Sequence, residues 1–339
     1  MRYNDCMSDT SLNTGPAHNL RPHSLGDYVG QDNVVKTLEV FLNAVKSRGE
    51  PSEHLLFYGP PGIGKTTLAH IIANELQGEM KVTSGAALQK SGDLAAILTN
   101  LQDNDVLFID EIHRLPRTVE EILYPVMEDY FLDIVIGKGP SARTVRLPVP
   151  KITIVGATTR LAMLSAPLRD RFGLIMRLDY YEPKDMEKII LRAAQILETP
   201  ISKDAAKQIA VRSRRTPRLA NRILKRARDM LLVDGITEIN DASLAQLFVL
   251  LELDEYGLQD VDRKYMETLG KKFQNNPVGI ETIASAMSED RQTIEEFIEP
   301  YLLQIGFLKK TPRGRMLTNS AQKHMGYKIV QDPPQQSLI

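Results

Sequence analysis

The chain has one cysteine, Cys6, so no internal disulfide can form. With no histidine near it in a polar N-terminal stretch, it supports neither a zinc site nor a thiol nucleophile. Redox chemistry is not where such a sequence points. Long apolar runs are missing too. Runs such as Val106–Ile109 and Leu231–Val233 fall far short of the roughly 18 residues a membrane span needs, and no charged-then-apolar leader opens the chain. We expect a soluble protein that stays inside the cell. An excess of one charge is absent as well: Lys and Arg number 42 against 43 Asp and Glu, a net charge of −1. Any polyanionic partner must therefore meet a local basic patch. No internal repeat or low-complexity tract appears.

What is present is ordinary for a folded chain: 339 residues, 42% hydrophobic and 25% charged, enough for two or three domains with buried cores. Residues 1–19 and 331–339 carry no apolar period, and we expect both to be disordered, as a leader and a tail. Over 20–181, strand-like apolar runs at His54–Tyr58, Val106–Ile109 and Ile152–Gly156 alternate with helical periods, which is the pattern of a parallel α/β domain. Its first helix is expected to be capped by Asp32, to bury Val34, Leu38, Phe41 and Val45, and to stop at Gly49. Over 182–254 only helical periods recur, near Met186–Leu197, Ala205–Ser213, Pro217–Val233 and Ala242–Leu251, giving a small all-α lid. Over 255–330 come helices near Val261–Phe273, Ile280–Ala286 and Arg291–Gln304, then a hairpin around a basic turn, which is a winged-helix pattern.

Gly59-Pro60-Pro61-Gly62-Ile63-Gly64-Lys65-Thr66 fits G-x-x-x-x-G-K-[ST] between the run Leu55–Tyr58 and a helix expected over Thr67–Leu76. The glycines let backbone N–H groups cradle phosphates at a helix N-terminus, Lys65 reaches the β- and γ-phosphates, and the Thr66 hydroxyl suits Mg²⁺. The run Val106–Ile109 ends in Asp110 and Glu111, an acid to hold the metal through water and an acid to polarise the attacking water. ATP hydrolysis, with ADP as product, is the chemistry this implies. His113 reads as a packing or hydrogen-bonding residue, because no second metal-ligand candidate lies at helical spacing.

With these motifs the chain resembles the AAA+ ATPases. The resemblance implies that Thr159, with Thr158 as the near alternative, is the sensor 1 residue at the end of Gly156–Arg160. It implies that Arg171 in Arg169–Gly173 is an arginine finger reaching a neighbouring subunit's nucleotide, and that Arg218 in Thr216-Pro217-Arg218 is sensor 2. Over nearly the whole chain, Leu20-Arg21-Pro22, Tyr28-Val29-Gly30-Gln31, Asp110 to Leu115 and Thr311-Pro312-Arg313-Gly314-Arg315 are similar to the RuvB family, the bacterial Holliday-junction branch-migration motors. That likeness implies that Leu20, Arg21, Gly62, Thr67, Tyr181 and Glu128-Asp129-Tyr130 also line the nucleotide pocket. One departure is Arg215, where the family pattern has Gly; it adds charge and removes backbone freedom.

Phe307 to Arg315 carries Lys309, Lys310, Arg313 and Arg315 with no acid, a wing able to follow a phosphate backbone without reading bases. By family likeness Arg291 extends the track. The run Arg212, Arg214, Arg215, Arg218, Arg222, Lys225, Arg226 and Arg228 reads instead as nucleotide contact plus a solvated face. Residues 131–147 alternate apolar and polar residues about a Gly-Lys-Gly-Pro turn. This is an inserted hairpin that either packs on its own domain or, as the family implies, docks RuvA. The resemblance further implies a homohexamer pumping duplex DNA at four-way junctions in recombination and repair, a possible RuvC partner and a bacterial, nucleoid-associated location. A clamp-loader-like ATPase and a nucleotide-switched DNA-binding regulator are the alternatives.

Overall fold

The computed structural model describes residues 20–136 and 143–327. The expected leader and tail and the tip of the 131–147 hairpin lie outside the described residues. Two compact units are present, residues 1–239 and 240–339.

The first unit is built on a five-stranded parallel sheet in the order β2-β3-β6-β1-β7. Its strands are β1 (Leu55–Tyr58), β2 (Met80–Ser84), β3 (Val106–Asp110), β6 (Thr153–Thr158) and β7 (Leu174–Arg177); β4 (Phe131–Ile136) and β5 (Arg143–Pro148) form a separate antiparallel pair. Every residue of β6 is buried, as expected of a parallel strand covered on both faces. Strands β2 and β7 are the half-exposed sheet edges; β2 has no apolar run, and β7 only the short Leu174–Met176, which escaped the sequence reading.

The first helix, Asp32–Arg48, buries Val34, Leu38, Leu42 and Val45, so Leu42 takes the place expected for Phe41. Asp32 is the first helical residue rather than the cap. Gln31 occupies the cap position in the left-handed region, φ 56°, and its side-chain amide is paired with the backbone of Asp179, which ties the helix start to the chain leaving β7. Gly49, at φ 65°, stops the helix. The hairpin β4/β5 runs one residue further than expected, to Pro148. Leu132 is packed into the unit's own core, whereas Phe131 and Val145 are exposed. Helices Pro183–Ile196, Lys203–Arg212 and Pro217–Asp234 complete the unit.

The second unit starts with the helix Asp241–Leu250, which the sequence reading grouped with the lid. It continues through Asp260–Glu267 and Ile280–Met287 to Glu299–Gln304, then β8 (Leu308–Thr311) and β9 (Gly314–Leu317). Gly314 sits at φ 139°, and a Cβ there would lie 2.4 Å from the Val278 carbonyl. Only glycine lets the wing approach that backbone, which then pairs Val278 with Arg315 in both directions. No described helix is long and apolar enough to cross a membrane.

Candidate nucleotide site and basic wing

Parallel strands deliver their C-terminal ends to one edge of the sheet, where open α/β folds bind ligands. Here β3, β6 and β1 are consecutive neighbours, so Asp110, Thr158 and the loop after Tyr58 come together. Gly59, Gly62 and Gly64 all have left-handed φ, and the Gly59 N–H donates to the Thr158 carbonyl at 3.2 Å. The helix begins at Lys65, two residues before its expected start. The Lys65 ammonium donates to the carbonyls of Gly59 and Pro60, each at 2.8 Å. Burial draws its pKa down to about 8, against the pull of Glu111 and Asp110.

A cleft of about 460 Å³ opens over this loop. Leu20, Arg21, Gly62, Gly64, Lys65, Thr66, Thr67, Asp110, Glu111, Tyr181 and Arg218, all singled out from the sequence, line it. Burial, then the neighbouring Arg218, lowers the Arg21 pKa; a cleft that crowds guanidinium groups suits a polyanion. Glu111 holds a strained left-handed backbone, φ 46°. Thr159 Oγ1 donates to its carboxylate at 3.2 Å, and His113 Nδ1 lies 3.3 Å from the same oxygen and 2.9 Å from Thr158 Oγ1. Thr159 thus meets the cleft through Glu111, and His113 is part of that hydrogen-bonded group.

Tyr28 and Asn221 line the cleft without having been assigned to it from the sequence. Tyr28 shares a 2.9 Å hydroxyl contact with Tyr181, whose pKa burial raises to about 12, keeping it a donor. Arg218, Asn221, Arg222 and Lys225 face the cleft from the helix Pro217–Asp234, a spacing that places them on one side. Elsewhere in the basic run, Arg226 and Arg228 pair with Asp229. Arg214 and Arg215 both have left-handed φ, 51° and 55°, which accounts for a glycine in the family pattern. In this chain the side chain compensates: Arg215 Nε donates to the Tyr181 carbonyl at 2.8 Å and its guanidinium pairs with Glu182.

Glu128, Asp129, Tyr130 and Arg171 do not line this cleft. They gather elsewhere on the unit. Arg171 pairs with Glu128 at 3.1 Å, donates to the Pro167 carbonyl at 2.6 Å and stacks 4.3 Å from the Tyr124 ring centroid.

The wing corrects one expectation. Lys310 and Arg315 are cross-strand partners in β8/β9, and like charges opposite each other repel. A wholly buried acid answers them: Glu299 takes Lys310 Nζ at 2.6 Å and Arg315 Nε at 2.9 Å, and Tyr265 donates to it at 2.9 Å. Arg315 also meets Glu295 at 3.1 Å, and its side chain is only 16% exposed, so it does not stand free on the wing as the sequence suggested. Arg291 pairs with Glu281 at 2.8 Å and Glu295 at 3.2 Å. Lys309 and Arg313 are exposed.

Comparison with known proteins agrees with this arrangement along the chain. Family models match in succession: the Holliday junction DNA helicase RuvB P-loop domain over residues 20–178, the RuvB AAA lid domain over 181–254 and the RuvB C-terminal winged helix domain over 255–326. A solved structure described as the Thermotoga maritima RuvB Holliday junction branch migration motor is 48% identical, with a TM-score of 0.82 over 92% of this chain and 99% of that one. A Thermotoga maritima RuvB mutant is 48% identical, with a TM-score of 0.84 over 92% and 100% of the two chains. The clamp-loader and regulator alternatives are not favoured. A phosphate loop, an Asp-Glu strand end, a helical lid and a winged head matched in this order place the chain in the RuvB family of Holliday junction DNA helicases.

Proposed function

We propose that this chain is the motor subunit of a branch-migration complex, hydrolysing ATP to drive duplex DNA at a four-way junction through a ring of six copies. The observation that carries the reading is the convergence of Lys65, Thr66, Asp110, Glu111 and Arg218 on one cleft. Domains at 20–181, 182–254 and 255–330 then serve as ATPase, lid and DNA-binding head, within a bacterial cytoplasm.

Among the described residues, no three His, Cys, Asp or Glu side chains gather to hold a metal by themselves. Thr66 and Asp110 would therefore hold Mg²⁺ jointly with phosphate oxygens, which suits that ion. Bound there, it offsets phosphate charge. Lys65 exchanges its loop carbonyls for the β- and γ-phosphates. Glu111, oriented by Thr159, takes the proton of the attacking water as the γ-phosphoryl group departs, and Arg218 reads the phosphates in its own subunit. Arg171 and Glu128-Asp129-Tyr130 lie apart from the subunit's own cleft, which supports their serving a neighbour's nucleotide.

The exposed Phe131 and Val145 of the hairpin suit docking of RuvA, and RuvC is a further candidate partner. Arg291, Lys310, Arg313 and Arg315, with Lys309, are the candidate DNA contacts. The test is ATP turnover of the whole protein with four-way junction DNA and RuvA, each alone and together. We expect strong stimulation by the pair and junction movement that depends on ATP. Turnover indifferent to both would overturn the reading.

A further inference from the structure

Three of the five candidate DNA cations form one alternating ladder with acids: Glu281, Arg291, Glu295, Arg315, Glu299, Lys310, each joined to the next by an ion pair of 3.2 Å or less. Three cations meet three carboxylates, so the ladder presents no net charge. The acids are not equivalent. Glu299 is fully buried, whereas Glu281 and Glu295 retain 72% and 30% side-chain exposure. Glu299 holds the wing cations in place; removing its charge would leave two like charges facing each other across β8/β9. Glu281 and Glu295 are different, because they pair with the Arg291 and Arg315 guanidinium groups while themselves partly exposed, so a phosphate can compete with them for the same groups.

We propose that Glu281 and Glu295 set the DNA affinity of the head by acting as internal counterions that a phosphate must displace. This rests on the reading of the wing and Arg291 as DNA contacts. A phosphate that gains Arg291 or Arg315 releases a counterion from DNA, but the freed carboxylate takes up a cation from solution, so the net release is small. Affinity and its salt dependence are then both lower than the number of cations implies. For a translocating subunit this has a use: a head that must let go of DNA in every cycle holds it with pairs that re-form internally on release.

The experiment measures affinity of the whole protein for a fluorescent four-way junction across a potassium chloride series. Its variants are Glu281→Gln, Glu295→Gln and the double variant, with Glu267→Gln as a charge-matched control, since Glu267 pairs with Lys271 outside the ladder. A Lys309→Ala/Arg313→Ala variant tests the underlying reading. We expect the double variant to bind about tenfold tighter near physiological salt. Its slope of log affinity against log salt should be steeper by about one unit, the counterion equivalent of one further phosphate contact. Glu267→Gln should change affinity less than twofold, and thermal melts and DNA-free ATPase should stay at wild type. Unchanged affinity and slope in the double variant, beside weakened binding by Lys309→Ala/Arg313→Ala, would overturn the inference alone. Equal tightening by Glu267→Gln would overturn it in favour of general charge. Undiminished binding by Lys309→Ala/Arg313→Ala would overturn the DNA reading and the inference with it.

Discussion

Thr159 and Glu111 are joined side chain to side chain at 3.2 Å, from the ends of neighbouring strands. The catalytic candidate thus has a partner that fixes its carboxylate. Replacing Thr159 with Val keeps the shape and removes the donor, so turnover should fall about tenfold or more while ATP affinity stays within a few-fold. Glu111→Gln should abolish turnover and still bind nucleotide. Measured Kd and kcat for both variants check this, and a loss of binding equal to the loss of turnover would contradict it.

Arg171 rests on Glu128 and Tyr124, away from its own cleft. Arg171→Ala should therefore bind ATP normally yet hydrolyse poorly. Mixed with Lys65→Ala, which should lose nucleotide binding, it should regain some turnover wherever an intact finger faces an intact cleft. Mixed assemblies without any regain, once their formation is demonstrated, would contradict action between subunits.

His54 Nδ1 accepts from the Ile154 N–H and its Nε2 lies 3.0 Å from the Met127 carbonyl, so the ring is held neutral. Burial lowers its pKa to about 4. The unfolded chain binds the proton more readily, so this contribution is complete above about pH 6.5 and is lost as pH falls towards 4, roughly 3 kcal/mol in all. Thermal melts should show a flatter acid slope over that window for His54→Gln than for wild type. Parallel slopes would count against it.

Gly314→Ala places a Cβ against the Val278 backbone. We expect a loss of about 2 kcal/mol or more in the second unit, weaker junction binding and normal DNA-free ATPase. A melt indistinguishable from wild type would remove the requirement for glycine there.

Chemistry that runs continuously along the chain was legible in the sequence. The loop Gly59–Thr66 and the strand ending in Asp110 and Glu111 each carry their signal in a few consecutive residues, and the lid helices carry theirs in their period. The edge strands β2 and β7 were not legible, because a half-exposed strand carries at most a short apolar run, three residues in β7 and none in β2. Phe41 and Leu42 differ only in which side of one helix the core occupies. Among the cleft residues, Asn221 carries no motif, and its helical spacing from Arg218 was the available signal; Tyr28 lies in a family motif that names no contact. Pairing of Arg315 with Glu299 and Glu295 spans 16 and 20 residues and leaves no trace in local charge, so the wing read as a free basic patch.

The strand order also bears on synthesis. Strand β6 separates β3 from β1 and pairs with both, yet it leaves the ribosome after them. Until residues 153–158 emerge, the phosphate loop and the Asp-Glu strand end have no common support, and the facing edges of β1 and β3 stand unpaired. A nascent chain therefore carries two open, apolar strand edges from the emergence of β3 until that of β6, a state prone to mispairing. Insertion of one six-residue strand closes both edges and brings the phosphate loop and the Asp-Glu strand end together in the same event, so ATP binding cannot precede it.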